Sequence, residues 1–558
     1  MVRILRRVES ALSKSSGAVT TTSPRIYQLP QPPADFTGRE TQIQDILADF
    51  EKGRGATLSG LIGLGGIGKT ALGLVVAHQL TKKYSDAHIY LDLKGTTAPL
   101  SAVDIVRHVI LSFEPTADLR ALDEQNMQGA YQSVLHGKRA LLFFDNARSA
   151  EQIALLRPPE GCAMLVTSRW TFPVAGLTSH KLGVLTEQEA QDFLRTLCPR
   201  ADSHASELAR ACGNLPLALR IAGSFLQVNS NWKVETYLAQ LTDIRQRLET
   251  LHTSRTQADL LGEPDLLAIF ELSYNQLKDE DKTRWRTLGV FTASFMEVSA
   301  AALWDMNETA AAQSLGLFMR YSLLDYNETT ARYELHDLLA EYARKRMEAG
   351  EERTAHIRHA RHFMDVMTAA DELYLAGNDK ILQGLGLFDG EWDHIRAAQA
   401  WLAREVEDPE IAELTMRFPS AGTYCLDLRL PPGQKADWLQ NAVESARTIK
   451  DRQYESIHLG NLGLAHAALG EARKAIELYE QALLIDREIG DRRGEGADLG
   501  NLGGAYYSLG ETRKAVEFYE QALLIACEIG DRRGEAMPWQ IWETRCMGWE
   551  RRSVGFNL

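Results

Sequence analysis

The sequence has no long apolar run, little cysteine and no excess of positive charge. Nowhere do about 18 apolar residues follow one another, so no membrane span is expected. The start, residues 1–16, carries basic residues but lacks the apolar core of a signal peptide, so export is not expected either. Six cysteines are scattered without the paired spacing of a zinc site or a disulfide framework, which favours a reducing, cytoplasmic location. They are Cys162, Cys198, Cys212, Cys425, Cys527 and Cys546.

Acidic residues outnumber basic ones, and the formal net charge is -14. Because phosphate backbones demand a basic surface, direct nucleic-acid binding by the whole molecule is not expected, although a local basic patch stays open. A hydrophobic content of 45% and a charged content of 24% fit neither a disordered nor a collagen-like chain. A length of 558 residues exceeds what one hydrophobic core supports and predicts three or four domains.

Residues 1–34 are predicted to be an amino-terminal extension and linker. Apolar residues at helical spacing oppose arginines over residues 1–14, which indicates either a short amphipathic helix or a frayed terminus. The stretch from 15 to 33 is rich in Ser, Thr and Pro, a composition typical of a linker.

Residues 35–185 show short apolar runs alternating with helical patterns, which predicts an α/β domain with a parallel sheet. Four runs lack polar alternation, as expected for strands covered by helices on both faces. The predicted strands are 57–63, 88–93, 140–145 and 163–168.

The segment GLGGIGKT, residues 63–70, matches the phosphate-binding pattern GxxxxGK[ST] between a predicted strand and a predicted helix. Glycines let backbone N–H groups surround phosphate oxygens, Lys69 reaches the β- and γ-phosphates, and the Thr70 hydroxyl can hold Mg²⁺. A glycine-rich structural turn is the alternative. The residues assigned to a bound nucleotide are Gly63, Gly65, Gly66, Gly68, Lys69, Thr70 and Ala71.

Two further strand ends are predicted to complete this site. Asp145 ends one strand where a parallel sheet presents its carboxyl edge, so it can bind Mg²⁺ together with Thr70. Asn146 follows in place of a second acid, which leaves no obvious carboxylate to activate water and predicts slow hydrolysis at most. Arg169 follows the next strand and could detect a γ-phosphate, although either residue could also be an ordinary turn residue. Lys69, Asp145 and Arg169 are therefore the catalytic candidates.

The carboxyl-terminal part contains an internal repeat. Residues 455–494 and 495–534 are identical at roughly 28 of 40 positions, far more than shared helical composition produces. Small residues such as Gly463 and Gly503 alternate with large ones in a pattern that resembles tetratricopeptide repeats, with a second helix extended to Gly490 and Gly530. Repeats are assigned to 451–536, a helical region with one degenerate copy to 351–450, and an irregular tail to 537–558.

The order of these motifs resembles the NB-ARC branch of the STAND ATPases, over about residues 36–346. The resemblance implies a helical domain at 186–255 and a winged-helix domain at 256–350. It also implies three nucleotide contacts: Arg39 at the adenine side, Pro216 of Gly-Asn-Leu-Pro-Leu-Ala against the base, and His336 of Leu-His-Asp at the β-phosphate of ADP.

The function that this resemblance implies is a cytoplasmic switch driven by ADP and ATP. The repeat groove is expected to bind a protein or peptide, and the ATP-bound form is expected to open or to form a homo-oligomer. A purely structural spacer is the alternative for the repeats. Two other functions stay open for the chain: a transcriptional regulator whose DNA binding the switch controls, and a turnover ATPase or kinase. About 34 residues precede Phe36, too few for a helix-turn-helix domain.

Overall fold

The computed structural model of the chain describes residues 26–52, 57–95, 99–119, 125–171, 174–251, 264–328, 330–406 and 408–531. The predicted helix at 1–14 and the predicted irregular tail at 537–558 lie outside these residues. The described residues form two compact units. The first extends to residue 359, without residues 118 and 119, and the second starts at residue 360.

The first unit begins with a six-stranded parallel sheet of strand order β1-β3-β4-β5-β2-β6. Four of the strands were predicted from apolar runs and lie within two residues of the predicted bounds. The two edge strands were not predicted, because β1 is only two residues long and the side chains of β6 are largely solvent-accessible. The strands are β1 (Ile26–Tyr27), β2 (Thr57–Ile62), β3 (Ala87–Asp92), β4 (Ala140–Ala147), β5 (Ala163–Ser168) and β6 (Leu177–Lys181).

Helices cover this sheet and bury its central strands. In β4 every residue from Ala140 to Asp145 is buried, which explains why the run ALLFFD shows no polar alternation. The helices are α1 (Glu40–Lys52), α2 (Lys69–Leu80), α3 (Ala102–Phe113), α4 (Met127–Leu135) and α5 (Ala150–Ala154).

Four helices follow the sheet within the predicted helical domain. Helix α6 begins with a capping box, in which the Thr186 hydroxyl accepts from the N–H of Glu189 and the Glu189 carboxylate accepts from the N–H of Thr186. The other oxygen of Glu189 accepts from the N–H of Arg39 at 2.8 Å, so the cap also fixes the chain entering α1. The helices are α6 (Glu187–Leu197), α7 (Ala205–Ala211), α8 (Pro216–Val228) and α9 (Val234–Leu251).

In the described residues between 264 and 346, five helices combine with a small antiparallel hairpin. The pattern around Tyr326 and Asn327 predicted only a break between helices, because strands of three residues are too short to show a period of two. Trp285 is fully buried in this part of the unit and donates its ring N–H to the carbonyl of Leu323 at 3.0 Å. The elements are α10 (Pro264–Asn275), α11 (Asp279–Thr287), α12 (Glu297–Trp304), α13 (Glu308–Arg320), β7 (Asp325–Asn327), β8 (Arg332–Glu334) and α14 (Asp337–Arg346).

The second unit is helical throughout the residues described. Its first helix, α15, begins in the first unit. The helices are α15 (Ala349–Leu375), α16 (Lys380–Gly390), α17 (Trp392–Leu402), α18 (Pro409–Arg417), α19 (Thr423–Arg429), α20 (Pro432–Ile449), α21 (Arg452–Ala468), α22 (Ala472–Ile489), α23 (Arg492–Ser508) and α24 (Thr512–Ile529).

Each 40-residue unit is a helical hairpin, α21 with α22 and α23 with α24. A Cβ atom on Gly463 would lie 2.4 Å from the ring of Tyr479, and one on Gly503 would lie 2.7 Å from the ring of Tyr519. Glycine therefore lets the paired helices approach over a tyrosine ring. The longer second helix is confirmed, since α22 and α24 end at left-handed glycines 490 and 530.

Glutamates join successive hairpins at the same place in each repeat. The buried carboxylate of Glu455 accepts from Arg447 and from Arg452, both at 2.7 Å, while Arg452 also pairs with Glu488. Forty residues later the set recurs with Glu495, Arg487, Arg492 and Glu528. The predicted degenerate copy supplies α20, whose Ala436, Leu439 and Val443 pack against α21.

Among the residues described, no helix combines the length and low polarity that crossing a membrane requires.

Candidate functional site

The loop between β2 and α2 has the backbone of a phosphate-binding loop. Gly66 and Gly68 adopt left-handed φ values of 72° and 89°, which glycine adopts at little cost. A Cβ atom on Gly63 would lie 2.8 Å from the carbonyl oxygen of Leu182, so that position also requires glycine. Gly68 begins α2 without a side-chain cap, which leaves the helix amino terminus suited to an anion.

Lys69 lies folded back along this loop and is 9% exposed. Its ammonium donates to the carbonyl of Gly63 at 2.9 Å and to that of Leu64 at 2.7 Å. Burial, and secondly the positive charge of Arg169, lower the pKa of Lys69 to about 8. The ammonium is thus held at the loop by acceptors that an anionic oxygen could replace.

Asp145 ends the buried part of β4 and faces Thr70 at the start of α2. The Thr70 hydroxyl lies 3.0 and 2.9 Å from the two carboxylate oxygens, and the Thr167 hydroxyl donates to one of them. Burial, and secondly the charge of Asp92, raise the pKa of Asp145 to about 6. The predicted pair of metal ligands is therefore in direct contact.

Asp92 is a neighbour of this site that sequence reasoning missed. It ends β3 directly opposite Asp145 in the parallel register. Its carboxylate accepts from the backbone N–H of Lys94 at 2.8 Å and pairs with the Lys94 ammonium at 3.2 Å. Burial raises the pKa of Asp92 despite that partner. The signal was available, since Asp92 lies near the end of a predicted apolar strand, as Asp145 does.

Arg39 lies beneath the phosphate loop rather than at its rim. The guanidinium is buried and donates to the carbonyls of Ile67 and Gly183, each at 2.9 Å. Since Ile67 belongs to the loop, Arg39 stabilises the loop's conformation. The predicted contact with adenine stays a prediction.

The start of α8 closes one side of the loop. The ring of Pro216 lies 3.8 Å from where a Cβ of Gly68 would stand. The next residue, Leu217, donates its N–H to the carbonyl of Gly66 at 3.3 Å and packs over that glycine. The predicted base-binding proline is thus beside the site.

The start of α14 closes another side. Leu338 lies 3.0 Å from where a Cβ of Gly65 would stand. His336 caps the helix, and its Nδ1 accepts from the N–H of Leu338 at 3.2 Å. Burial, and the positive charges of Arg169 and Lys69, hold the pKa of His336 well below its usual range, against the opposing charge of Asp337. A neutral ring that accepts at Nδ1 carries its proton on Nε2, where it can donate to an anion.

Arg169 and Asn146 meet the same residue of α14. The Oδ2 atom of Asp337 forms an ion pair with the Arg169 guanidinium at 3.5 Å. The same oxygen accepts a hydrogen bond from the side-chain amide of Asn146 at 2.8 Å. Neither contact was predicted. The structure thus brings the predicted residues at 68–70, 145, 169, 216 and 336 around one loop, with Arg39 directly below it.

Two parts of the sequence match known protein families. Residues 39–203 match the NB-ARC domain family, which spans the phosphate loop, Asp145 and Arg169. Residues 453–528 match a tetratricopeptide repeat family and include most of both 40-residue units.

Curated relatives include regulatory and disease-resistance proteins. The chain is 34% identical over 349 residues to the regulatory protein AfsR of Streptomyces coelicolor, covering 60% of this chain and 34% of that protein. It is 35% identical over 336 residues to AfsR of Streptomyces griseus, covering 58% and 34%. A putative disease resistance protein of Arabidopsis thaliana is 24% identical over 392 residues, covering 62% and 40%. The chain thus spans about a third of the length of its two Streptomyces relatives.

One solved structure aligns along most of the chain. The crystal structure of a signal transduction ATPase with numerous domains, a STAND protein with a tetratricopeptide repeat sensor from Pyrococcus horikoshii, covers 92% of this chain and 87% of that one, at a TM-score of 0.43 and 17% identity. From the matched sequence families, the chain carries an NB-ARC domain over residues 39–203 and tetratricopeptide repeats over residues 453–528.

Proposed function

We propose that this protein is a molecular switch that binds ADP or ATP with Mg²⁺ and couples the bound nucleotide to the arrangement of its winged helix. One observation carries the proposal. Side chains at the start of α14 lie against the phosphate loop, where Leu338 covers Gly65 and Asp337 meets Arg169. A ligand on the loop must therefore interact differently with the open and closed arrangements, which is what a switch requires.

The residues fit a magnesium nucleotide. Loop amides, the amino terminus of α2 and Lys69 suit a polyphosphate, and the oxygens of Thr70 and Asp145 are of the kind that Mg²⁺ prefers. Bound Mg²⁺ supplies charge neutralisation at the phosphates. Pro216 and Arg39 are proposed to serve the base side of the nucleotide, and His336 to donate from Nε2 to a phosphate oxygen.

Arg169 is proposed to report the γ-phosphate. Its partner in the structure is the carboxylate of Asp337, at 3.5 Å, which is a long contact. An additional anionic oxygen near the guanidinium competes with that carboxylate, so the ion pair to α14 weakens when ATP replaces ADP. The closed arrangement then belongs to the ADP state.

We propose that the partner that activates the switch binds the second unit. Stacked tetratricopeptide hairpins form surfaces that bind peptides or helices, so a protein or peptide partner is proposed to act there. The opened, ATP-bound form is proposed to associate with further copies of itself. The proposed location of the protein is the cytoplasm.

The test is mass identification of the nucleotide carried through purification, with molecular mass measured before and after addition of MgATP. We expect co-purified ADP, and an ATP-dependent increase in mass that Lys69→Ala abolishes. A protein with no affinity for ADP or ATP in the presence of Mg²⁺ contradicts the proposal, as does a monomer whose conformation is indifferent to nucleotide.

A regulator of transcription is a second candidate, since the two Streptomyces relatives bear the name regulatory protein. DNA binding by the purified protein, weakening steeply with added salt, supports it. A turnover ATPase is a third candidate, and rapid steady-state phosphate release supports that one. Asn146 argues against it, because an amide cannot act as a general base.

A further inference from the structure

Asn146 has an unusual backbone at the end of β4. Its φ is 57°, in the left-handed region, where asparagine is among the better tolerated residues. The register between β4 and β5 shifts between Phe144 and Ala147, so Asn146 lies outside the regular ladder. Its N–H donates instead to the Thr167 hydroxyl at 2.8 Å. The backbone at 146 is therefore tied to the side chain that also contacts Asp145.

The side chain of Asn146 reaches across to the winged helix. Its amide nitrogen donates to Oδ2 of Asp337 at 2.8 Å, although the two residues are 191 positions apart in the chain. A continuous line of hydrogen bonds thus runs from the first residue of α14 to the proposed metal site. Its members in order are Asp337, Asn146, Thr167, Asp145 and Thr70.

An amide at this position suits the surrounding charges better than a carboxylate would. Burial is the main cause that raises the pKa values of Asp145, Asp92 and Glu334, and the negative charge of Asp337 adds to it, so Asp337 lies within electrostatic reach of these groups. A carboxylate at 146 would add a further negative charge at hydrogen-bond distance from Asp337. An amide donates there without that repulsion.

We propose that Asn146 is a positioning residue that holds the winged helix closed by donating to Asp337. This proposal rests on the proposed nucleotide switch, and it names the contact that stabilises the closed state. It predicts that breaking the contact speeds nucleotide release, because α14 covers the loop.

The experiment measures the dissociation rate of a fluorescent ADP analogue from the full-length protein, chased with excess ADP. ADP is used so that hydrolysis does not contribute. Asn146→Asp places two carboxylates face to face, and we expect release at least about tenfold faster than from the wild type. Asn146→Gly, which tolerates the left-handed backbone and only removes the amide, is expected to give a smaller increase.

The decisive variant exchanges the two groups. Asn146→Asp combined with Asp337→Asn restores an amide–carboxylate hydrogen bond with its direction reversed. We expect it to release ADP within about threefold of the wild-type rate, whereas Asp337→Asn alone releases it faster. A merely structural role for Asn146 would not give this rescue.

Asn378→Asp is the matched control. Asn378 is exposed and also has a left-handed φ, of 53°, so the same substitution is made on the same backbone conformation in the second unit. Its release rate should equal that of the wild type. Equal rates for Asn146→Asp and the wild type overturn this proposal alone, as does an exchange variant as fast as Asn146→Asp. A wild-type protein that binds no ADP overturns the proposed function as well.

Discussion

The nucleotide site and the repeats are built in opposite ways. At the site, groups 191 positions apart touch, and one side chain such as Asp145 has partners on three different elements. In the repeats, the glutamate–arginine contacts join neighbouring helices and recur 40 residues later. The site therefore has unique positions, whose loss no other residue compensates, whereas the repeats have equivalent positions with similar energies.

The largest expected effect is the pH dependence of nucleotide binding. It depends on the phosphate-loop site and not on the repeats. With a pKa of about 8, Lys69 is protonated below that pH and ready for a polyphosphate. Above it, binding requires proton uptake, so affinity should fall by about tenfold per pH unit. With a pKa of about 6, Asp145 loses its negative charge below that pH, and the Mg²⁺-dependent part of the affinity should fall there.

Titration of MgATP binding from acid to alkaline pH should therefore show a maximum between these two values. Asp145→Asn serves as the control, because it should remove the acid limb and leave the alkaline limb in place. A flat profile on the alkaline side would contradict the role given to Lys69.

A smaller effect is expected from a glycine within the repeats. Gly503→Ala places a methyl group 2.7 Å from the Tyr519 ring, and we expect a loss of about 1–3 kcal/mol in the stability of that hairpin. Gly500→Ala, on the same helix but with nothing within 4 Å of the added atom, should be neutral or stabilising by up to about 1 kcal/mol.

Hydrogen exchange of α23 and α24 in the full-length protein measures both variants. Affinity for ADP should stay unchanged in each. Equal destabilisation by the two substitutions would show that packing against Tyr519 is not the reason for glycine at 503.

The smallest expected effect is the loss of stability when one repeat loses its glutamate. Comparing this loss between the two repeats tests whether they are energetically equivalent. Glu455→Gln and Glu495→Gln each weaken two ion pairs to half-exposed arginines, so each should lose no more than about 1 kcal/mol. The two losses should agree in size and shrink as salt is raised. Thermal unfolding at low and high salt measures them, and clearly unequal losses would mean that the repeats are energetically distinct despite matching contacts.

The same contrast explains what the sequence could predict. The central strands, the phosphate loop and the 40-residue repeat all follow from local patterns, so they were predicted with nearly correct bounds. His336 was predicted as a site residue only through the family resemblance, since a lone histidine among leucines carries no local signal. The contacts of Asn146 with Asp337 and of Arg39 with Ile67 depend on the approach of distant segments, and the hairpin β7–β8 is too short to show a period.

The apolar cover over the phosphate loop has a kinetic consequence. Leu217 and Leu338 pack where Cβ atoms of Gly66 and Gly65 would stand, and they come from helices that begin about 150 and 270 residues after the loop. If the proposed switch binds nucleotide on this loop, we expect release to require movement of α8 and α14 as well as loss of the phosphate contacts. The proposed switch would then exchange nucleotide slowly, and binding assays with brief incubations would underestimate its affinity.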